Sequence, residues 1–192
     1  MACANTTVAF NETPEVVECR GERFRLFLDA ATIQKRVAEL GRQISRDYAD
    51  RQPILIGVLN GAFMFLADLM RYLTIDCEVD FLKLSSYGAA KVSSGQVYEL
   101  KKIDADIQGR HVLVVEDIVD TGLSMQFILE RLQAYEPASV ATVTLLHKAE
   151  ATQVDVPLDY VGFQIPNKFV IGYGLDYGQL ARNLNAIYIL EE

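Results

Sequence analysis

Residues 112–125 read VLVVEDIVDTGLSM. Four apolar residues run into Glu116 and Asp117, a third acid follows at Asp120, and Thr121, Gly122 and Ser124 come directly after. A short continuous apolar run bounded this way reads as a strand buried on both faces, the kind found in a parallel sheet covered by helices. Ligands in such sheets bind beyond the carboxyl ends of the strands, which is where this reading puts the three acids. Solvated acids at a helix N-terminus would account for one or two carboxylates, but not for three followed by a Thr/Gly/Ser loop.

The flanking sequence fills in an α/β pattern. Asp29 is placed as an N-cap before Ile33, Val37, Leu40 and Ile44, the spacing of one helical face. Pro53 precedes ILIGVL (54–59), a second continuous apolar strand, and AFMFLADLMRYL predicts the helix after it. CEVDFLKLS (77–85) alternates as a strand does, whereas SYGAAKVSSGQ (86–96) has clusters of small residues and no apolar period, predicting a mobile loop. The buried strand 112–115 is followed by a helix in SMQFILERLQAY, then a strand in SVATVTLLH (139–147) and short apolar runs near 169–172 and 186–190. Strands and helices in alternation predict a parallel sheet core flanked by helices. No repeat or low-complexity linker interrupts it, so the expectation is a single domain over residues 1–192.

Composition narrows the function classes. The 192 residues are 51% hydrophobic and 23% charged, ordinary for a globular chain, with a formal net charge of -8. That balance offers no basic face for nucleic acid. An anionic small substrate would need backbone N–H groups, a metal or a few placed Arg and Lys residues. Cys3, Cys19 and Cys77 are odd in number and scattered, which argues against a disulfide framework or zinc site and suits a reducing, cytoplasmic setting. The first twenty residues lack the basic and apolar regions of a signal peptide. The longest apolar stretch, 54–70, is interrupted by Asn60, Gly61 and Asp68, so no membrane span is expected.

Several chemistries fit the acidic strand end less well than one. A magnesium-holding strand of a P-loop NTPase would need GxxxxGK[ST], yet no Gly here is followed by Lys. Asp120-Thr121-Gly122 occurs once, without the second aspartate of an aspartic protease. IGYGLDYG (171–178) breaks the spacing of a dinucleotide fingerprint. A phosphate-and-sugar cradle remains. Thr121, Gly122 and Ser124 put N–H groups and hydroxyls at a helix start, where phosphate binds readily. Glu116 and Asp117 can accept from two ribose hydroxyls, and Asp120, between the two, can take a proton during chemistry at the anomeric carbon.

VLVVEDIVDTGLSM resembles the phosphoribosyl pyrophosphate motif of type I phosphoribosyltransferases. VLNGAF (58–63), LSSYG (84–88), LLHKAE (145–150) and FVIGYGLDYGQLARNL (169–184) resemble, in order, further segments of the hypoxanthine(-guanine) phosphoribosyltransferases of purine salvage. The likeness covers roughly residues 20–192, and five ordered motifs are far more specific than one. It implies the type I fold, with a small hood built from the terminal segments and a base-binding part at about 165–192.

The resemblance also implies residue roles. Asp120 would be the general base at N7 of the purine, Glu116 and Asp117 the ribose partners, and Thr121, Gly122, Leu123 and Ser124 the 5′-phosphate pocket. Leu59, Asn60 and Gly61 would lend N–H groups to pyrophosphate, across a bond before Asn60 that can be cis in the family. Many eukaryotic relatives carry Lys where Asn60 stands, so Asn60 brings no charge. Ser86 and Tyr87 would meet substrate phosphates when the mobile loop closes. Lys148 would donate to O6 of a 6-oxopurine, Phe169 would stack on the base, and Val170 would meet its edge through the backbone. Asp176 would ligate Mg2+, with Glu116 and Asp117 as further candidates, and Arg182 would clamp the pyrophosphate. His111 and His147 have no motif partner and read as structural.

The implied activity is transfer of the 5-phosphoribosyl group from phosphoribosyl pyrophosphate to N9 of hypoxanthine, guanine included, by a homo-oligomer. Two alternatives stay open at this level. A regulatory protein could keep the pocket as a sensor, although no basic surface or added helix-turn-helix supports it. A xanthine-preferring relative could share every motif.

Overall fold

The computed structural model describes residues 13–86 and 97–191. In chain order the elements are β1 (Val16–Cys19), β2 (Glu22–Leu28), α1 (Ala30–Asp47), β3 (Ile54–Leu59), α2 (Phe63–Arg71), β4 (Glu78–Ser86), β5 (Val97–Lys101), β6 (His111–Val119), α3 (Leu123–Gln133), β7 (Ser139–His147), β8 (Tyr160–Gln164), β9 (Val170–Ile171) and β10 (Ile187–Leu190). Among the described residues they make two sheets and three α-helices.

The main sheet has the order β5-β4-β3-β6-β7-β8. Strand β3 runs parallel to both β4 and β6, β6 to β7, and β7 to β8, while β5 is antiparallel to β4. Period-2 alternation sorts the apolar strands between two cores. Leu55, Leu113 and Val115 pack with Ile33, Leu40, Phe65 and Leu69 of α1 and α2. Ile54, Ile56, Val112 and Val114 pack on the other face with Met125, Ile128 and Leu132 of α3. Helix α1 starts as its sequence predicts: the Asp29 carboxylate accepts from the Thr32 N–H at 2.7 Å. Ile33, Val37, Leu40 and Ile44 are all buried.

One boundary is corrected. The central strand does not end at Val115 but continues through the acid pair to Val119, because β7 pairs with it as far as Val119↔His147. Backbone pairing overrides the change in side-chain polarity, so Glu116 and Asp117 lie inside the last turns of β6. Only Asp120 lies beyond it.

The terminal segments form the second sheet, with order β1-β2-β10-β9 and antiparallel pairing throughout. This is the expected hood, although its N-terminal hairpin β1–β2 shows no strand pattern strong enough to read from sequence. Strand β5 went unread as well. Ser86 ends β4 and pairs with Val97; Tyr87 and the rest of the expected 86–96 loop lie outside the described residues. No helix among the described residues is long and apolar enough to cross a membrane.

Candidate active site

The carboxyl ends of β3, β6 and β7 converge with the hood. Glu116 and Asp117 are both buried at the end of β6. The Asp117 carboxylate accepts from the Ile118 N–H at 2.9 Å, and the Glu116 carboxylate makes a longer contact with the Asp117 N–H at 3.3 Å. Burial, and then the neighbouring Asp117 charge, pushes Glu116 well above the usual carboxylate range. Burial raises Asp117 too, with the Arg182 charge among the influences opposing the rise. Two adjacent buried carboxylates disfavour carrying both charges at once.

Beyond β6 the chain turns sharply into α3. Gly122 has φ 85° at the helix N-cap, and a Cβ there would sit 2.4 Å from the Val154 carbonyl oxygen. Only glycine fits. The Thr121 carbonyl accepts from the N–H groups of Gln153 and Val154, each at 3.0 Å, which fixes the turn. Gly122 brings no capping side chain to α3, and Thr121 Oγ1 accepts from the Leu123 N–H only at 3.4 Å; the helix start borders a pocket of about 90 Å³ lined by Glu116, Asp120, Thr121, Gly122, Ser124 and Met125. Leu123 is 40% exposed and can contribute only its backbone to an anion there.

Asp120 meets Lys148 across the pocket rim. The Lys148 N–H donates to Val119 at 3.0 Å, which carries its side chain beside β6. Its Nζ donates to Asp120 Oδ2 at 3.1 Å. The lysine is buried, while the aspartate side chain is 46% exposed. The histidines take no part: His111 contacts Ser139 Oγ and His147 contacts Thr152 Oγ1.

The third wall comes from the β3–α2 turn and the hood. The Leu59–Asn60 peptide bond is cis, as the family resemblance allows. Gly61 lies so close to Asp117 that a Cβ would fall 1.7 Å from its Oδ2, and a Cβ on Gly174 would fall 2.1 Å from the Gly61 carbonyl oxygen. Asp176 and Arg182, expected to hold metal and pyrophosphate, hold each other at 2.6 Å. Asp176 also accepts from the Gln179 N–H, and Arg182 donates to the Gly174 carbonyl, each at 2.7 Å. Among the described residues, no group of three or more His, Cys, Asp or Glu side chains could hold a metal.

Phe169 leaves a large part of its ring exposed. It meets Tyr177 edge-to-face at 5.3 Å and Phe24 at 6.2 Å, and the Arg20 guanidinium lies over Tyr177. Val170 is buried in β9, paired with Ile189. A hydrogen bond from the Ile165 N–H to the His147 carbonyl ties this segment to the end of β7 beside Lys148. Sequence reading missed Tyr177, Phe24 and Arg20. Tyr177 stands within the quoted hood segment, but nothing local marks Phe24 or Arg20 as its neighbours.

Residues 27–178 match the phosphoribosyl transferase domain. The chain is 41% identical over 167 residues to the hypoxanthine-guanine phosphoribosyltransferase of Bacillus subtilis, covering 87% of this chain and 93% of that protein. It is 47% identical over 161 residues to the hypoxanthine phosphoribosyltransferase of Salmonella typhimurium, covering 83% and 90%. Among solved structures, a hypoxanthine-guanine phosphoribosyltransferase from Bacillus anthracis superposes with a TM-score of 0.82 at 40% identity, over 86% of this chain and 98% of that one.

Proposed function

The chain belongs to the phosphoribosyltransferase family, and from that premise we propose that it transfers the 5-phosphoribosyl group of phosphoribosyl pyrophosphate to N9 of hypoxanthine and guanine, releasing pyrophosphate and the nucleoside monophosphate. The relative at 41% identity is named for both bases, and the relative at 47% for hypoxanthine alone. The observation that carries the reading is the Lys148–Asp120 pair at 3.1 Å. A 6-oxopurine presents O6, an acceptor, next to N7, which carries a proton in one tautomer. An ammonium beside a carboxylate presents the complementary donor and acceptor.

In the reaction the bond from C1′ to the pyrophosphate oxygen breaks and the bond from C1′ to N9 forms. Asp120 accepts the N7 proton as N9 attacks, while Lys148 holds O6. Glu116 and Asp117 accept from the ribose hydroxyls and lie close to the positive charge that develops on the sugar ring. The 5′-phosphate sits on the N–H groups and hydroxyls of Thr121–Ser124. Arg182, released from Asp176, can fork onto the leaving pyrophosphate, and the N–H groups at Asn60 and Gly61 border the same place.

A magnesium ion fits this donor set. Two buried carboxylates raised by desolvation invite a cation, and magnesium is commonly held by one or two carboxylates plus substrate oxygens. One or two of Asp176, Glu116 and Asp117 would hold it together with substrate oxygens. When bound it would neutralise charge on the pyrophosphate. Cys3, Cys19 and Cys77 are odd in number and scattered along the chain, which supports a reducing, cytosolic setting.

The test is competition among hypoxanthine, guanine, xanthine and adenine for limiting phosphoribosyl pyrophosphate. Adenine offers an amino group to the Lys148 ammonium, a donor facing a donor, so its kcat/KM should fall by up to about 10⁴-fold relative to hypoxanthine. Comparable use of adenine would refute the pairing of Lys148 with O6.

A further inference from the structure

Tyr173 has no part in the chemistry above, yet its conformation is costly. It has φ 50° and lies between Gly172 at φ 96° and Gly174 at φ 97°. Glycine would occupy this left-handed position with less strain. What tyrosine adds is a buried ring packed with the α1/α2 core and a hydroxyl that donates to Asp68 Oδ2 at 2.7 Å. Asp68 is anchored in turn by Gln34 of α1 and by Arg71, and Gln34 accepts from the Tyr72 hydroxyl at 3.1 Å. Burial, then the bond to Asp68, raises the phenol above its ordinary value, so it remains a donor at neutral pH.

The backbone around Tyr173 leads straight to the site. Its N–H donates to Leu184 at 2.9 Å, and the Gly174 N–H donates to Arg182 at 3.0 Å. Gly174 lies on the carbonyl of Gly61, and Gly61 lies against Asp117. Asp68 stands on α2, the helix that grows directly out of the 59–61 turn. One hydrogen bond therefore joins both walls of the pyrophosphate side to the same helix.

We propose that Tyr173 and Asp68 are a positioning pair. They seat the hood segment 172–182 on the 59–61 turn and thereby tune affinity for the pyrophosphate half of the donor, leaving the 5′-phosphate cradle on α3 untouched. The proposal rests on the functional reading above.

Calorimetric titration of the full chain tests it with two ligands, magnesium pyrophosphate and inosine 5′-monophosphate. Tyr173→Phe keeps the ring and loses only the hydroxyl. It should weaken pyrophosphate binding about 10-fold, the scale of one hydrogen bond, and leave monophosphate binding within about two-fold. Asp68→Asn keeps an acceptor and should recover most of the affinity. Asp68→Ala loses the same bond together with the Gln34 and Arg71 contacts, so it should weaken pyrophosphate binding at least as much, and it supplies the measurement if Tyr173→Phe does not fold. The double variant Asp68→Ala/Tyr173→Phe should bind no worse than Asp68→Ala. Unchanged pyrophosphate affinity in Tyr173→Phe, or equal weakening of both ligands, would overturn the proposal while the wild-type chain still binds. A wild-type chain that binds neither ligand would overturn the functional reading itself, and the positioning role with it.

Discussion

Gly174→Ala is the sharpest test of how the hood meets the active site. An alanine Cβ would sit 2.1 Å from the Gly61 carbonyl oxygen, against an ordinary contact beginning at 3.4 Å, so the segments must part by about 1.3 Å (3.4 − 2.1). Both contacting groups are backbone, and neither can swing aside as a flexible side chain could. The φ of 97° adds about 1–2 kcal/mol for a residue with a Cβ, and forced overpacking adds about 1–3 kcal/mol. The sum, about 2–5 kcal/mol, corresponds to a fall in Tm of about 4–20 °C for a chain of this size. Displacement reaches the chemistry as well, since Arg182 donates to the Gly174 carbonyl and Gly61 borders Asp117. A shift of about 1 Å at a reacting site costs about 10²-fold in rate. Thermal unfolding followed by circular dichroism reads the first quantity, and steady-state kcat/KM for phosphoribosyl pyrophosphate reads the second. A Tm within about 2 °C of wild type, together with unaltered kcat/KM, would refute the close seating of hood on turn.

Asp120→Asn should fold normally, because the amide oxygen can still accept from Lys148, yet turnover should drop about 10²-fold or more; near-normal turnover would remove Asp120 from proton transfer. Glu116 makes a prediction about pH. Its folded-state pKa is raised, so the folded chain binds more protons than the unfolded one as pH climbs above the ordinary value of 4.5, and stability falls over that range. Glu116→Gln should therefore be more stable than wild type at pH 8 with a flatter pH profile, while its kcat/KM drops; urea titrations at pH 5 and pH 8 decide, and an unaltered profile counts against the buried charge. Asp176→Ala should raise the magnesium concentration needed for half-maximal rate, and full wild-type activity in excess chelator would contradict the metal assignment.

The ion pairs add a common theme to these predictions. Lys148 is bound to Asp120, and Arg182 to Asp176, so each cation expected to meet substrate has an acid partner within the protein. A substrate must replace these contacts with equivalent ones, since leaving the buried Lys148 ammonium without a partner is costly. Ligands that offer oxygen acceptors to both cations could do so; a 6-aminopurine would offer Lys148 none at position 6. On the proposed roles, specificity would rest on which ligand leaves no charge of these pairs uncompensated.

The local code settled the sheet and the turn from β6 into α3. ILIGVL and VLVV are apolar without interruption because both faces of a parallel strand are covered, and that requirement is written into each segment alone. Thr121-Gly122-Leu123-Ser124 was legible for the same reason, since a left-handed turn and free helix N–H groups are local chemistry. The rest depends on chain crossings that no window of sequence contains. How far β6 extends depends on β7 beside it, which carried Glu116 and Asp117 into the strand. The hairpin β1–β2 becomes part of the hood only through its pairing with β10. Lys148 reaches Asp120 across 28 residues, and Tyr173 reaches Asp68 across 105. Gly61 is confined between Asp117 and Gly174 by three separate segments. Periodicity records which face of an element is buried; what that face touches is decided only when the whole chain has packed.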